Sequence, residues 1–337
     1  MPATALDIGT YSIKIAIGRP GARPHLNKVF ELLNPTKLAV PQDAAQQEQL
    51  TQVMKTLWHD YALPKGELRL SLPESVVSTK VIEMPPLSTA ELVSAVSWQA
   101  ERHIPIPKED LMLEYQVLSK TKKNNQEVMQ VLLIGVRRPI LDRYLAMFAD
   151  LPVDPALIET QSLSIFRSTA VAPSDPPTLI AHLGNNELIL IVVRNGQLNF
   201  VVSHLGGSSL LTKTLHESIN LDEEAASQYV RTYGLDETQF GGKVRQLLMP
   251  HVALWFKNIQ LSMQYFANQY QGEVIKRIIF SGGAVLLPGL VAQASADLGV
   301  EILIADPISS VSMGNIKQLN TPTAYGVVLG LMEQEDL

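Results

Sequence analysis

The sequence predicts an α/β chain of two domains closing on one cleft, with a small strand–helix–strand–strand module inserted in the first. Three observations carry that reading. Near the start the run Ala5-Leu6-Asp7-Ile8 stops at Gly9, and near the end Ile278-Ile279-Phe280-Ser281 stops at Gly282-Gly283. A glycine at such a point lets backbone N–H groups approach a phosphate or a flat ring with no Cβ in the way. The order strands, turn, strands, helix then occurs twice, before and after the linker Pro173-Ser174-Asp175-Pro176-Pro177. The two halves are not similar residue by residue, so the duplication is one of element order.

At 337 residues, two domains are the natural expectation, and 46% hydrophobic against 18% charged residues is enough to fill their cores. A net charge of -6 argues against a nucleic-acid partner, which would want a basic face. The short run Lys120-Thr121-Lys122-Lys123, before Asn124-Asn125, reads as a solvated hairpin turn. The absence of cysteine removes disulfides, thiolate nucleophiles and cysteine–zinc sites together. The N-terminal residues lack a basic leader pattern, and no apolar run is long enough to span a bilayer, so the expectation is a soluble, cytoplasmic protein.

The elements follow in order. Strands are expected at 5–8, 13–17 and 28–33, punctuated by Gly18-Arg19-Pro20-Gly21. A helix at 46–61 carries Leu50, Val53, Met54, Leu57 and Tyr61 at three-to-four spacing, and 68–72 is a strand ending at Pro73. The module comprises a strand at 76–81 and a helix opened by the capping box Ser88-Thr89-Ala90-Glu91 and stopped by Ile104-Pro105-Ile106-Pro107. Strands at 113–118 and 127–136 and a helix at 140–149 close that block. A helix is expected over 154–170. Beyond the linker come strands at 179–183, 187–194 and 198–204, the last two joined by Asn195-Gly196. Helices follow at 209–218, 223–233 and 244–270, the last holding Pro250 in its first turns or kinked by it. A buried strand at 275–280, a helix at 290–298 and an apolar helix at 321–331 complete the chain.

The chemistry would sit at the glycine segments. In Asp7-Ile8-Gly9-Thr10-Tyr11-Ser12-Ile13-Lys14, Asp7 would hold a hydrated Mg²⁺, while Gly9, Thr10, Tyr11 and Ser12 would offer N–H or hydroxyl groups to phosphate. Lys14 adds charge nearby. Taken alone, these residues equally make a plain hairpin. Gly282-Gly283 would let an adenine lie on backbone, or would simply serve a strand-to-helix loop needing positive φ. The seven histidines form no metal spacing and no triad, and His182 ends a strand.

With these segments placed, the chain resembles the actin-like ATPase superfamily, and within it the PilM family of type IV pilus assembly proteins. The specific residues are in the middle: Leu72-Pro73, Pro85-Pro86, Thr89-Ala90-Glu91-Leu92, Ala95-Val96-Ser97-Trp98-Gln99-Ala100, Arg102-His103-Ile104-Pro105-Ile106-Pro107 and Leu113-Glu114-Tyr115-Gln116-Val117-Leu118, with Ala324-Tyr325-Gly326 near the end. The resemblance implies an actin-like ATPase fold of two duplicated domains. The first covers 1–75 with 153–172 and 318–337, the inserted module 76–152, and the second 176–317 with a helical part at 209–272. The module is shared with the cell-division protein FtsA. The resemblance also implies a cytoplasmic scaffold, recruited to the inner face of the membrane, that binds the N-terminal tail of a PilN-like membrane protein between the first domain and the module.

Departures fall at the nucleotide site. Where the family's second phosphate loop starts with Asp, this chain has His182-Leu183-Gly184. Alignment puts Ala226 and Tyr229 where the family holds ribose and base, and Asn258 and Leu261 where its long helix carries Glu and Arg; Glu187 or Glu224 would be the compensating acids. The expectation is a degenerate site, with hydrolysis lost. Any ATP and Mg²⁺ would lie near Asp7, Gly9, Thr10, Tyr11, Ser12, Lys14, Gly184, Gly282 and Gly283. The alternatives are an active ATPase or kinase of the same fold, an FtsA-like membrane tether, and the type II secretion relative. A tether would want a basic amphipathic C-terminal helix, whereas the sequence reads Met332-Glu333-Gln334-Glu335-Asp336-Leu337.

Overall fold

The computed structural model describes residues 2–123, 126–314 and 319–333. The first part of the chain forms β1 (Ala3–Ile8), β2 (Ser12–Arg19), β3 (His25–Leu33), α1 (Ala44–Asp60) and β4 (Gly66–Leu72). The module follows as β5 (Val77–Met84), α2 (Thr89–His103), β6 (Leu111–Lys123) and β7 (Gln126–Arg137), and then α3 (Arg138–Ala146), β8 (Val153–Thr160) and α4 (Gln161–Thr169). Past the linker come β9 (Thr178–Leu183), β10 (Glu187–Arg194), β11 (Gln197–Leu205), α5 (Ser209–Ile219), α6 (Glu223–Tyr233) and α7 (Lys243–Gln269). The chain continues through β12 (Arg277–Ser281), α8 (Leu290–Leu298), β13 (Glu301–Ile304), β14 (Ser312–Met313) and α9 (Gly326–Glu333). The turn expected at Asn124-Asn125 and the acidic residues 334–337 lie outside the described residues.

The two large sheets have one topology. The first runs β14-β3-β2-β1-β4-β8 and the second β11-β10-β9-β12-β13. Each is an antiparallel three-strand meander whose first strand acquires two parallel neighbours through crossovers. This is the duplicated arrangement the resemblance implies. The module rides on a crossover: the parallel step from β4 to β8 must leave the sheet and return, and it carries β5, α2, β6 and β7, while α3 at its end packs under the first sheet. Ser312–Met313, inside the range 176–317, pair with β3 at the edge of the first sheet.

One element departs from expectation. The predicted helix over 154–170 is instead β8 followed by α4. Consecutive residues show why: Leu157 packs into the core between the sheets, and Ile158 into the core under the first sheet. Neighbours that point to opposite faces define a strand, and β4 supplies the parallel partner that the residues alone do not reveal. The structure also adds the edge strands β13 and β14 and starts β3 at His25. Elsewhere local signals suffice. Ser88 and Glu91 form a reciprocal capping box at α2, and α7 runs on through Pro250.

Four apolar clusters fill the molecule: one between the second sheet and α5–α8, one between the first sheet and α1 and α3, one inside the module, and one joining the two large sheets. The joining cluster is organised by α9, every residue of which is buried, packed on α4. Their contact depends on a missing side chain, since a Cβ on Gly330 would lie 1.9 Å from the Ser164 carbonyl oxygen. The end of α9 is closed from outside: Arg167 donates to Gly330 O at 2.8 Å, Arg69 to Leu331 O at 3.1 Å and the Gly21 amide to Met332 O at 3.0 Å. Both cations sit where the helix dipole is negative.

Gly330→Ala is expected to destabilise the fold by about 1–3 kcal/mol, because backbone must move to admit the methyl group. Gly283→Ala, whose Cβ would meet only the Ala324 Cβ at 3.9 Å, is expected to be near neutral. Urea midpoints of the two variants against the parent decide it.

Candidate functional site

The glycine segments meet where the two large sheets face each other. Gly9 opens the β1–β2 turn and donates to Ser12 O at 3.0 Å; a Cβ there would lie 2.9 Å from that oxygen. Asp7 and Lys14 are register partners across the hairpin, so their side chains share a face. Lys14 Nζ donates to Ser12 Oγ at 2.9 Å, and that hydroxyl donates onward to Glu31 at 3.3 Å.

Asp7 is almost fully buried, and one of its oxygens is claimed twice. Ser71, at the end of β4, and Gln161, at the start of α4, both donate to Oδ1 at 2.7 Å. Tyr144 donates to Ser71 O at 2.9 Å, and burial, with the Asp7 charge, pushes its phenol far above the ordinary range. The carboxylate thus ties β1, β4 and α4 together.

Gly184 starts the matching turn of the second sheet, donating to Glu187 O at 2.9 Å. The carbonyls of Gly184, Asn185 and Asn186 accept from the amides of Ser208, Ser209, Gly206 and Gly207. A Cβ on Gly207 would come within 2.4 Å of Gly184 O. His182, beside Ser281 in the sheet register, shares a 3.2 Å hydrogen bond with its hydroxyl. Burial drives its pKa down to about 4, with Asp7 opposing and Lys14 assisting, so the ring is neutral at pH 7.

The third turn explains one of its two glycines. Gly282 adopts φ +94° and donates to Thr323 O at 3.0 Å, and its Cβ would fall 2.4 Å from Leu183 O. Gly283 carries no such constraint. The structure therefore brings Asp7, Gly9, Thr10, Tyr11, Ser12 and Lys14 onto one lip and Gly184 onto the other, where Asn185 Nδ2 donates to Thr10 Oγ1 at 2.8 Å. Gly282 backs the second lip through its contact with Leu183.

Ala226 is fully buried in the core of the second sheet, and Tyr229 packs on Tyr233 and Phe240, with ring centroids 5.1 and 5.5 Å away. The α6 side chains that reach the first lip are Glu223 and Arg231. Leu261 is half exposed on α7. Glu187 lies beside Ser75, and burial raises its pKa, with the amide and hydroxyl of Ser75 opposing. Glu224 is exposed in the first turn of α6. Sequence reasoning missed Ser71, Gln161 and Asn185, which come from separate strand ends and carry no shared local pattern, whereas Ser281 lies in the glycine segment it singled out. Among the described residues, no group of three or more His, Cys, Asp or Glu side chains could hold a metal ion.

A second feature lies between the first sheet and the module. A groove of about 350 Å³ is lined by Gln42, the stretch Ser75-Val76-Val77-Ser78 leading into β5, Pro105 and Ile106 after α2, and Arg137 and Ile140 at the start of α3. Its one cation, Arg137, is half exposed, with Asp110 the nearest carboxylate at 3.7 Å. Its lining mixes apolar side chains (Val76, Val77, Pro105, Ile106, Ile140) with the hydroxyls of Ser75 and Ser78.

The family described as "Type IV pilus assembly protein PilM" matches residues 5–332. Among solved structures, the chain is similar to one from a PilM-PilN type IV pilus biogenesis complex, with a TM-score of 0.84 and 22% identity over 98% of this chain and 97% of that one. It is also similar to the ethanolamine utilization protein EutJ from Carboxydothermus hydrogenoformans, with a TM-score of 0.55 and 12% identity over 99% and 89% of the two chains. MreB 5 of Spiroplasma citri, bound to AMPPNP, gives a TM-score of 0.55 and 11% identity over 98% and 94%. These likenesses show the actin-like ATPase fold.

The buried, neutral His182 makes a pH prediction. Its folded pKa of about 4 lies below the ordinary value near 6.5, so the unfolded chain takes up its proton first as pH falls. The folded state should lose stability between pH 6.5 and 4, by on the order of 3 kcal/mol from this group, and regain it as pH rises. His182→Gln should remove that part of the loss. Denaturant melts of both proteins at pH 7, 5.5 and 4 measure the difference, in which the shared buried carboxylates cancel.

Proposed function

The chain belongs to the family of type IV pilus assembly protein PilM, and from that premise we propose that it is a cytoplasmic scaffold of the pilus inner-membrane assembly. In this reading it holds the N-terminal tail of a PilN-like membrane protein in the groove beside the module. The observation that carries it is the groove itself: a concave, partly apolar strip between two separately cored units, with Ile106, Ile140 and Val76 positioned to take aliphatic side chains. Extended backbone next to the start of β5 would find hydrogen-bonding partners there.

The nucleotide site is degenerate in this reading. The residues present do not fit Mg²⁺-ATP well. Of the two loop aspartates the resemblance implies, Asp7 alone is present, and its Oδ1 already accepts from Ser71 and Gln161. The second position is a neutral His182. The amides of Gly9, Gly184 and Gly282 are each spent on a backbone carbonyl. The chain therefore works by holding a peptide rather than by phosphoryl chemistry. α9 is buried along its whole described length, so this helix does not itself lie on lipid.

Calorimetric titration with the tail peptide of the PilN-like partner, with and without Mg²⁺-ATP, tests the reading. Saturable binding with one affinity in both conditions is expected, weakened at least tenfold by Ile106→Asp, which buries a charge in the groove. Binding only with Mg²⁺-ATP would mean that the cleft gates the groove. No binding in either condition, or Mg²⁺-dependent phosphate release, would sink the scaffold reading.

A further inference from the structure

Polar interactions between the chain's own side chains span the lips of the cleft. Asn185 Nδ2 donates to Thr10 Oγ1 at 2.8 Å. Lys37 Nζ donates to both carboxylate oxygens of Glu223, at 2.7 and 2.8 Å. The Arg231 guanidinium stands 6.0 Å from the centroid of the Tyr11 ring.

On the first lip the three partners share one mount. Asn34, 5% exposed, donates through Nδ2 to Gly9 O at 2.9 Å and to Leu38 O at 2.7 Å, and its amide donates to Tyr11 O at 2.9 Å. Its Oδ1 accepts from the amide and hydroxyl of Thr36. The turn bearing Thr10 and Tyr11 and the turn bearing Lys37 are thereby one body. Lys37 itself holds φ +56°, a left-handed conformation that a lysine adopts only where its surroundings impose it. On the second lip, Glu223 and Arg231 are eight residues apart on one face of α6, and Asn185 tips a turn whose carbonyls are all bonded.

Strength is distributed unevenly. Lys37 and Glu223 are about two-thirds exposed, and Tyr11 is 42% exposed, so each contact can bias an equilibrium by only a few-fold. Beneath them the sheets are joined by the apolar cluster around α4 and α9, with no comparable weakness. Weak polar lips over a dry base make a hinge with a catch. We propose that Asn185–Thr10, Lys37–Glu223 and Arg231–Tyr11 form a latch that holds the cleft shut without any ligand, and that the two domains open about the α4–α9 joint when it releases. The latch needs neither the tail peptide nor a nucleotide.

The absence of cysteine makes the test direct. Cysteines replacing the exposed Glu48 on α1 of the first domain and Gln228 on α6 of the second would carry a donor–acceptor dye pair for single-molecule energy transfer. The parent should show a dominant closed population and a minor open one. Asn185→Ala and Lys37→Glu should each raise the open fraction about two- to fivefold, and 0.5 M salt should raise it in the parent. The exchanged pair Lys37→Glu with Glu223→Lys should return it toward the parent value. Asn185→Ala leaves the backbone bonds of its turn intact, so it reports even if a charge reversal perturbs folding. Distributions of both single variants that superimpose on the parent would overturn the latch, as would an exchanged pair as open as Lys37→Glu alone.

Discussion

The close approach of α9 to α4 is the constraint on which the molecule depends. Gly330 lets the backbone of one helix sit against the backbone of the other, and Gly326 leaves room for the hydroxyls of Ser168 and Ser281 one turn earlier. At that separation Val327, Val328, Leu331 and Met332 join α4 in the apolar cluster between the two large sheets, α9 lying on β1, β2 and β4 and α4 reaching β9 and β10. The burial is dry and extensive, worth roughly 1.5–3 kcal/mol for each aliphatic side chain taken fully out of water. It also puts the helix end deep inside, where unpaired carbonyls would be costly. The guanidinium groups of Arg69 and Arg167 meet that need, and the paired charges of Glu67 and Glu159 meet theirs.

From this joint the polar lining of the cleft follows. β1, β4 and β9 end beside it, so Asp7, Ser71 and His182 are delivered together, with Gln161 and Ser281 completing the set. Their hydrogen bonds run from strand to strand and from strand to helix. Asp7 in particular braces three elements, work that a charged carboxylate does well because hydrogen bonds to charged groups are the stronger kind. The same position that offers a carboxylate to a cation can therefore be retained for cohesion alone.

The module shows how an insertion adds a surface without disturbing the sheet that carries it. It occupies the obligatory crossover between β4 and β8, has its own apolar cluster, and returns the chain at the correct edge. The seam it leaves against the first sheet is the groove, so the groove is a consequence of topology as much as of the residues lining it. Its floor begins immediately after Glu74, whose carboxylate is buried and bonded to the Ser162 amide at 2.9 Å, so α4 also anchors the groove from below.

By itself the sequence determined the α/β class, the module with its capping box, the linker, and the hairpin at Gly9, because each rests on contacts between residues close in the chain. It also determined that His182 precedes the Gly184 turn, where the resemblance implied an acid. Only the tertiary structure decided that 153–160 is a strand, since β4 provides the partner that overrides its local ambiguity. The same holds for Ala226, whose burial depends on which face of α6 the second core takes, and for Glu187, which the fold brings beside Ser75 from over a hundred residues away. Residues such as Ser71, Gln161 and Asn185 have ordinary neighbours in sequence. What makes them part of a site is that long-range pairing ends several strands at one point, and no local pattern encodes where strands from distant parts of a chain will end together.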